Sequence, residues 1–289
     1  MKKKFIVFTI DKGYLPHLAT ALRSFVETND SSQYEIGLIY SGINQKSINK
    51  LLAFAHQIGL ELFAEEIYEQ FTDVHVSFHF NHTIFYRFLA PELFNGYEQI
   101  LYLDSDIIFM GDVSEIFELD LNCRVLGAVD RAPYFGVPSY LVGMIDRYLA
   151  SGLLLINREK FICDKVKERC IQFLKNHYYE MPDQDALSYV VRDFVPIDPR
   201  FSVETAFLCR SESLFDFAKN PKIIQFSGSS KPWNMDNNHP YKRLYWRYRN
   251  KTPYRSFLPD DFCFKDAIRR AKQQFGKNLV RKVIGKRLR

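Results

Sequence analysis

The chain has 289 residues, of which 47% are hydrophobic and 16% aromatic, enough for a sizeable core and unlike a disordered protein. The formal net charge is +5, but residues 267–289 hold nine Lys and Arg and no acid, which leaves 30 basic and 34 acidic residues elsewhere. The body is therefore mildly acidic, and it shows no helix-turn-helix or RNA-recognition pattern, so we predict no nucleic-acid partner.

The cysteine usage and the amino terminus predict a cytoplasmic protein. The five cysteines are odd in number and lack the spacing of metal ligands, so we expect reduced thiols. The apolar run Phe5–Ile10 is too short for a secretory signal. We find no apolar run long enough to span a bilayer.

Five segments at the amino end alternate between strand and helix patterns. Lys4–Ile10, Ile36–Tyr40 and Leu60–Ala64 are runs of β-branched, aromatic and aliphatic residues, typical of strands. Between them, Tyr14–Glu27 and Asn44–Ile58 have apolar residues at helical spacing. This βαβαβ order predicts a parallel sheet with helices on both faces, in which ligands bind at the carboxyl ends of the strands.

Longer irregular stretches separate the later elements. Phe71–His82 has no clear period, and Pro91 disturbs the helical pattern of Thr83–Phe94. Residues 131–148 contain several Pro and Gly residues and predict a long excursion that acts as a lid. The other predicted elements are a short helix at 112–117, strands at 124–129, 151–157, 194–197 and 222–228, and helices at 160–176 and from 183.

The stretch from Gln99 to Phe109 carries two carboxylates directly after an apolar strand. Asp104 and Asp106 are two residues apart and point to the same side of an extended backbone. The two charges repel, and a hard divalent cation such as Mn²⁺ or Mg²⁺ would remove that cost and take phosphate oxygens as further ligands. The pair therefore predicts a metal site for a phosphate-bearing substrate. The open alternative is a solvated Asp-Ser-Asp turn.

The basic segment 267–289 has the pattern of an amphipathic helix. Ile268, Phe275, Leu279 and Val283 recur at spacings of seven and four among Lys and Arg. The absence of acids favours an anionic partner, and an anionic membrane surface is the leading prediction. The alternative is a helix that packs on the domain and exposes a cationic face.

Four stretches of the chain, taken in order, share the pattern of one enzyme family. They are Phe8–Tyr14, Phe85–Leu89 with Leu101–Asp106, Ser151–Asn157 with Asp183-Gln184-Asp185, and Gly228–Trp233. Together they resemble glycosyltransferase family 8, the family of glycogenin and of bacterial galactosyl- and glucosyltransferases that build lipooligosaccharide. The resemblance covers the chain from about Lys4 to Trp233.

This resemblance implies the fold and the domain organisation. The expected fold class is α/β, with a single nucleotide-sugar-binding domain of GT-A-like type. Its sheet would be mixed but mostly parallel, with helices on both faces. Residues 1–240 would form this catalytic domain. Beyond the stretch that the resemblance covers, the basic amphipathic pattern predicts that residues 241–289 form a helical tail that holds the protein on the inner face of the membrane.

The resemblance also implies the activity: retaining transfer of glucose or galactose from a UDP-sugar to a glycan or lipid-linked acceptor, assisted by Mn²⁺ or Mg²⁺. Asp104, Asp106 and Gln225 would hold the metal. Gln184 would lie beneath the anomeric carbon, and Asp183 and Asp185 would bind donor hydroxyls or cap the helix that they open. The implied donor-binding residues are Thr9, Asp11, Tyr14, Arg87, Ser105, Ser151, Gly152, Gly228 and Lys231. For three of these positions a structural role is the alternative: a helix N-cap for Asp11 and Asp183, and a solvated surface side chain for Arg87.

Three positions depart from the family pattern. Gln225 stands where the family usually has a metal-binding His, Ala150 where an Asn often contacts the donor sugar, and Gly13 where a polar residue often lies near the ribose. An amide oxygen is a neutral and weaker ligand than a carboxylate for Mn²⁺ or Mg²⁺. These departures leave open a non-catalytic nucleotide-sugar-binding protein. A metal-dependent phosphatase or nucleotidyltransferase ranks lower, because about three strands precede the acidic pair.

Overall fold

The computed structural model of the chain describes residues 3–68, 70–76, 81–175, 179–205, 215–235, 239–256, 258 and 261–262. The predicted amphipathic helix at 267–289 lies outside these residues. The strands are β1 (Lys4–Ile10), β2 (Tyr34–Tyr40), β3 (Glu61–Glu66), β4 (Gln99–Leu103), β5 (Ile107–Phe109), β6 (Leu126–Asp130), β7 (Leu149–Asn157), β8 (Val195–Pro196), β9 (Val203–Glu204) and β10 (Ile223–Gln225). The helices are α1 (Leu15–Phe25), α2 (Gln45–Gln57), α3 (Ala90–Leu93), α4 (Ala132–Phe135), α5 (Arg158–Cys163), α6 (Val166–Leu174), α7 (Pro182–Val190), α8 (Phe215–Ala218) and α9 (Lys242–Arg249).

A seven-stranded sheet in the order β3-β2-β1-β4-β7-β6-β8 forms the centre of the fold. The β1–β2, β2–β3 and β1–β4 pairs are parallel, which confirms the predicted βαβαβ unit. Strand β7 runs antiparallel to both β4 and β6, so the sheet is mixed but mostly parallel. A smaller sheet, β5-β10-β9, continues from the end of β4.

Strand β4 lies in the interior and delivers the acidic pair to one edge of the large sheet. Ile100, Leu101, Tyr102 and Leu103 are at most 1% exposed, because helices cover both faces of the sheet. Burial of each such aliphatic side chain stabilises the fold by about 2 kcal/mol. After Leu103 the chain leaves the large sheet and enters the small one at β5, and Asp104–Asp106 occupy the junction.

Two predicted helices differ from the observed ones. The helix expected over 160–176 is divided into α5 and α6, because Lys165 adopts a left-handed backbone conformation (φ 51°). The helix expected over Thr83–Phe94 is instead a 3-10 helix at His82–Phe88 followed by α3. Pro91 lies in the first turn of α3, where its missing N–H costs little.

The excursion at 131–148, all of which the structure describes, packs against α7. Leu141, Ile145 and Tyr148 form a buried apolar cluster, while Tyr134, Phe135 and several other large side chains are exposed. The excursion borders the first turn of α7, where Tyr140 and Tyr148 donate to Asp185. Its predicted role as a lid stays a prediction.

The chain after residue 240 contributes to the fold through α9. Tyr245 and Tyr248 of this helix pack with Ile108 of β5 and Ile224 of β10 in a buried cluster. The expected domain boundary at residue 240 is untested by the fold.

Cys123, Cys163 and Cys170 carry free thiols, and Cys209 and Cys263 lie outside the described residues. In the part of the chain that the structure describes, no helix is long and apolar enough to cross a bilayer.

Candidate active site

A cavity of about 890 Å³ opens at the edge of the large sheet where β1 and β4 end and β7 begins. Asp185 does not line it, but every other residue that the family resemblance assigned to the site does, although these residues come from well-separated parts of the chain. They are Thr9, Asp11, Tyr14, Arg87, Asp104, Ser105, Asp106, Ser151, Gly152, Asp183, Gln184, Gln225, Gly228 and Lys231.

The acidic pair faces this cavity, so Asp104-Ser105-Asp106 is not a solvated turn. Asp106 is 9% exposed, and the Asp104 side chain is 24% exposed. Burial raises the pKa of Asp106 to about 6, with a further contribution from the Asp104 carboxylate, while the Lys231 ammonium opposes the shift. Ser105 between them is buried and donates to the backbone carbonyl of Thr9 at 3.3 Å.

Gly152 leaves the space in which Gln225 and Asp104 meet. The backbone N–H of Asp104 donates to the Gly152 carbonyl at 3.0 Å, which brings β7 directly beside the acidic pair. A Cβ at position 152 would lie 2.2 Å from Gln225 Nε2 and 2.7 Å from Asp104 Oδ2. Any larger residue would therefore displace both side chains.

Gln225, on β10, contacts Asp104 through its amide. Gln225 Nε2 donates to Asp104 Oδ2 at 2.7 Å, and Gln225 Oε1 accepts from the Ser202 hydroxyl at 3.2 Å. The amide orientation is inferred from this hydrogen-bond network. The reversed orientation would turn Oε1 toward Asp104, and the Ser202 hydroxyl can accept from Nε2 because a hydroxyl both donates and accepts.

Arg87 is buried at 4% exposure, so it is not the solvated surface side chain that was its alternative. Its Nη2 lies 3.1 Å from Asp104 Oδ1, and its Nη1 lies 3.0 Å from Asp183 Oδ2. The guanidinium also donates to the carbonyl oxygens of Ile84 and Ser151. Burial opposes the charged form, but the two carboxylates outweigh it and raise the pKa of Arg87.

The Asp183-Gln184-Asp185 motif forms the first turn of α7. The N-cap of this helix is Met181, so Asp183 is not the capping residue. Gln184 Oε1 accepts from the Ser151 backbone N–H at 3.2 Å. Gln184 lines the cavity, and its amide Nε2 is buried near the Tyr148 hydroxyl.

Asp185 is also buried but does not line the cavity. Its carboxylate accepts from the Tyr148 hydroxyl at 2.6 Å, the Tyr140 hydroxyl at 3.0 Å and the Met181 backbone N–H at 3.1 Å. Burial raises the pKa of Asp185 to about 6 despite these donors.

The loop after β1 brings Asp11 and Tyr14 to the cavity. Asp11 caps a 3-10 turn, since its Oδ1 accepts from the backbone N–H groups of Gly13 and Tyr14 at 2.8 and 3.2 Å. Its Oδ2 accepts from Asn81 at 2.6 Å. The structure therefore shows the N-cap role of Asp11, and the same side chain still reaches the cavity.

Lys231 lies opposite the acidic pair. Its ammonium contacts Asp106 Oδ2 at 2.5 Å and donates to the carbonyl of Phe226. Gly228 has a φ of 78°, a conformation that favours glycine and bends the chain toward the cavity. Trp233, whose function the sequence left open, stacks on His17 with ring centroids 3.6 Å apart.

Several cavity residues were not predicted. Tyr102 donates to Asp104 Oδ1 at 2.9 Å and bonds Thr9 Oγ1 at 3.0 Å, and its position two residues before Asp104 on a strand was a usable signal. Glu204 lies 3.2 Å from Arg131 and carried no comparable signal. The other cavity-lining residues that were missed include Asn81, Thr83, Glu180, Met181 and Ser227.

The donor set fits a hard divalent cation. Asp104 and Asp106 supply carboxylate oxygens, and Gln225, in its reversed amide orientation, can supply an amide oxygen. Among the described residues, no group of three or more His, Cys, Asp or Glu side chains is placed to hold a metal. The third donor of this set would be an amide.

The chain belongs to glycosyl transferase family 8, whose family model matches residues 5–237. This match confirms the resemblance seen in the sequence. Among its relatives, general stress protein A of Bacillus subtilis is 25% identical and aligns over 86% of this chain and 94% of its own length. The lipopolysaccharide 1,2-glucosyltransferase of Escherichia coli K12 is 23% identical over 89% of this chain and 80% of its own length.

Solved structures confirm the fold. The galactosyltransferase LgtC, crystallised with donor and acceptor sugar analogues, superposes with a TM-score of 0.72 at 21% identity, over 89% of this chain and 98% of LgtC. The glycosyltransferase GlyE of Streptococcus pneumoniae is 25% identical, and the matched part is 85% of this chain but 61% of GlyE. The fold class is thus the mixed α/β fold of these glycosyltransferases.

Proposed function

We propose that this chain transfers glucose or galactose from a UDP-sugar to a glycan or lipid-linked acceptor, with retention of configuration and with the help of Mn²⁺ or Mg²⁺. The observation that carries this proposal is the convergence of the implied donor, metal and catalytic residues, other than Asp185, on one cavity. The names of the relatives, a lipopolysaccharide glucosyltransferase and a galactosyltransferase, support the choice of hexose.

The residues at the end of β1 suit recognition of the nucleoside. Asp11 retains acceptor capacity beyond its capping bonds, because a carboxylate has about four lone-pair sites. It would accept from the uracil ring, and the half-buried ring of Tyr14 would stack on the base. Thr9 and Ser105 are beside them and would contact the base and the ribose.

The diphosphate would lie between the acidic pair and Lys231. Asp104, Asp106 and Gln225 would hold the cation, which supplies positive charge for the diphosphate when bound. Lys231 would transfer its ion pair from Asp106 to a phosphate oxygen, and Gly228 would let the backbone approach the phosphates. Arg87 is paired with Asp104 and Asp183, so it would fix these carboxylates and add positive charge near the donor.

Gln184 and Asp183 suit the sugar end of the donor. An amide is a poor nucleophile, so we favour a front-face reaction over a glycosyl-enzyme intermediate. The bond between the anomeric carbon and UDP breaks with its electron pair on phosphate oxygen. The acceptor hydroxyl oxygen bonds the same carbon, and its proton passes to the leaving phosphate. Gln184 would stabilise the positive charge on the sugar ring, and Asp183 would bind donor hydroxyls.

A peripheral position on the inner face of the membrane, held through residues 267–289, completes this proposal. Its support is the density of basic residues in that segment. We expect truncation after Asp266 to abolish binding to phosphatidylglycerol liposomes and to preserve activity on a soluble acceptor. Equal liposome binding by the full-length and truncated chains would contradict this role.

The proposed activity is tested by UDP release from purified protein without acceptor. UDP-glucose, UDP-galactose and their N-acetyl forms are each supplied with Mn²⁺ or with EDTA. We expect slow hydrolysis of UDP-glucose or UDP-galactose that requires Mn²⁺. The unfolding temperature of the protein is measured with the same donors. If no donor is hydrolysed and none raises the unfolding temperature, the proposed function is contradicted and a protein without this activity is favoured.

A further inference from the structure

Residues 226–235, called here the Lys231 loop, follow β10 and carry both Gly228 and Lys231. At its start the loop is tied to the small sheet, where the Phe226 N–H donates to the Asp106 carbonyl at 2.8 Å. Beyond that bond, the loop turns away from the sheet and reaches helix α9. The Lys231 ammonium itself contacts Asp106 and the Phe226 carbonyl, and the backbone that carries it is placed by the contacts at the far end of the loop.

Two side chains of α9 bind carbonyl groups of the Lys231 loop. Trp246 Nε1 donates to the Pro232 carbonyl at 3.2 Å. Lys242 Nζ donates to the Asn234 carbonyl at 2.7 Å and to the Met235 carbonyl at 3.2 Å. Pro232 directly follows Lys231, so the Trp246 bond acts one residue from the ammonium-bearing side chain.

The same helix packs against the ring at the centre of the loop. Trp233 lies between His17 of α1, at 3.6 Å between ring centroids, and Tyr245 of α9, at 5.3 Å. The Lys231 ammonium lies 5.5 Å from the centroid of the Trp233 ring. A cation at this distance from an indole is attracted to its face, so the ring also guides Lys231.

A buried hydrogen-bond chain fixes α9 on α1. Arg249 is 2% exposed, and its guanidinium donates to the Tyr245 hydroxyl and to the Tyr254 carbonyl. The Tyr245 hydroxyl is in turn hydrogen-bonded to His17 Nδ1 of α1 at 2.8 Å. Burial and the nearby cations lower the pKa of His17, which keeps this ring neutral.

We propose that α9 contributes to donor binding. Trp246 and Lys242 would be positioning residues that hold the Lys231 ammonium where it meets the diphosphate. This inference rests on the proposed UDP-sugar function. Helix α9 lies after residues 5–237, the part matched by the family model, and after the predicted domain boundary at residue 240. The catalytic unit therefore extends through this helix.

The test measures UDP affinity in Mn²⁺ by calorimetry on the full-length chain. Trp246→Phe removes the indole N–H but keeps an aromatic ring, and Lys242→Met removes the ammonium but keeps an unbranched stem. Together they should weaken UDP binding about fivefold to tenfold, the effect of losing well-placed hydrogen bonds. Lys242→Arg, which retains a donor, should keep most of the affinity. Arg243→Met, the same kind of change at an exposed neighbouring position of α9, should leave affinity unchanged.

A double-mutant cycle separates positioning from general structural damage. If α9 acts through Lys231, the Trp246→Phe and Lys242→Met pair should have little further effect in a Lys231→Met background. Additive losses in that background would overturn the proposal. The proposal would also be overturned if Lys231→Met weakened UDP binding but the α9 variants bound UDP as tightly as wild type. That result would leave the proposed function intact. Failure of the wild-type chain to bind UDP would instead overturn the proposed function and this inference with it.

Discussion

Two Asp-x-Asp motifs lie at the cavity, one on extended backbone and the other on a helix. This difference in backbone conformation decides which of their carboxylates reach the cavity. Asp104 and Asp106 lie on the extended junction between β4 and β5, and both line the cavity. Asp183 and Asp185 lie on the first turn of α7. Residues two apart in an α-helix are rotated by about 200° around its axis, so their side chains face nearly opposite sides. Asp183 accordingly faces the cavity, and Asp185 is held by Tyr140 and Tyr148.

The middle residues of the two motifs, Ser105 and Gln184, also have different partners. Ser105 donates to the Thr9 carbonyl and ties the acidic pair to β1. Gln184 lines the cavity and accepts from the Ser151 backbone N–H of β7. Arg87 joins the motifs by pairing with the first acid of each, Asp104 and Asp183. Identical spacing thus predicts shared function only when the backbone conformation is also known.

The largest expected effect separates Asp106 from Asp185. Asp106→Asn removes one charge from the proposed cation site with almost no change in shape. We expect Mn²⁺-dependent donor hydrolysis to fall by at least about 100-fold, because the leaving diphosphate loses its charge stabilisation. Steady-state hydrolysis assays check this, with thermal unfolding as the control for folding. Equal losses in Asp106→Asn and Asp185→Asn would refute the different functions assigned to the two motifs.

The second prediction concerns stability against pH. Because burial raises the pKa of Asp185 to about 6, the folded state holds this proton more tightly than the unfolded chain. The contribution of Asp185 to the free energy of unfolding should therefore fall by about 2 kcal/mol as pH rises from about 4 to about 6.5. Urea titrations of wild type and Asp185→Asn at several pH values measure it. The groups that face Asp185 are Tyr140, Tyr148, Tyr179, Asp183 and the Met181 N–H.

The tyrosines among these groups stay neutral over this range, since burial raises the pKa of Tyr148 and of Tyr140 further above the ordinary value. The difference between wild type and Asp185→Asn therefore isolates the Asp185 carboxyl. Parallel pH profiles for the two proteins would contradict the assignment of a raised pKa to Asp185.

The third prediction tests the middle residue of the helical motif. Gln184→Ala should lower the turnover number for donor hydrolysis about tenfold, because the amide would act on charge that develops in the transition state. Its affinity for UDP should stay within about twofold of wild type, since UDP lacks the sugar that Gln184 is proposed to contact. Calorimetry and hydrolysis kinetics on the same preparation provide both values. A loss of UDP affinity that matches the loss of turnover would place Gln184 at the nucleotide.

The smallest expected effect concerns the third donor of the proposed metal site. Gln225→His replaces an amide by an imidazole, which is a better ligand for Mn²⁺. We expect the Mn²⁺ concentration for half-maximal activity to fall about threefold. Gln225→Ala should raise the same concentration and serves as the matched control. If neither substitution changes it, residue 225 does not bind the metal.

Much of the fold and of the site membership could be predicted because both depend on local patterns. β1 was predicted with its observed bounds, Lys4–Ile10, because a β-branched run followed by Asp11 is distinctive. Asp104 and Asp106 were found because paired acids after a buried strand are costly without a ligand. Residues 194–197 and 222–228 were predicted as strands and contain the observed β8 and β10.

What was missed depends on contacts between distant segments. The two-residue strand β9 is too short to show any period. The break between α5 and α6 falls at Lys165, without a Gly or Pro to signal it. Ser202 meets Gln225, and Trp246 meets the Lys231 loop, only in the folded chain. The packing of α9 on β5 and β10 likewise depends on contacts that form only in the folded chain.

The most direct test of a cation-assisted diphosphate site is the affinity for UDP with Mn²⁺ and with EDTA. Calorimetry measures it for wild type, Asp106→Asn and Asp185→Asn. We expect Mn²⁺ to tighten UDP binding at least about tenfold in wild type and in Asp185→Asn, and to have no such effect in Asp106→Asn. UDP affinity that is equal in Mn²⁺ and EDTA for the wild-type chain would contradict a cation-assisted diphosphate site at Asp104 and Asp106.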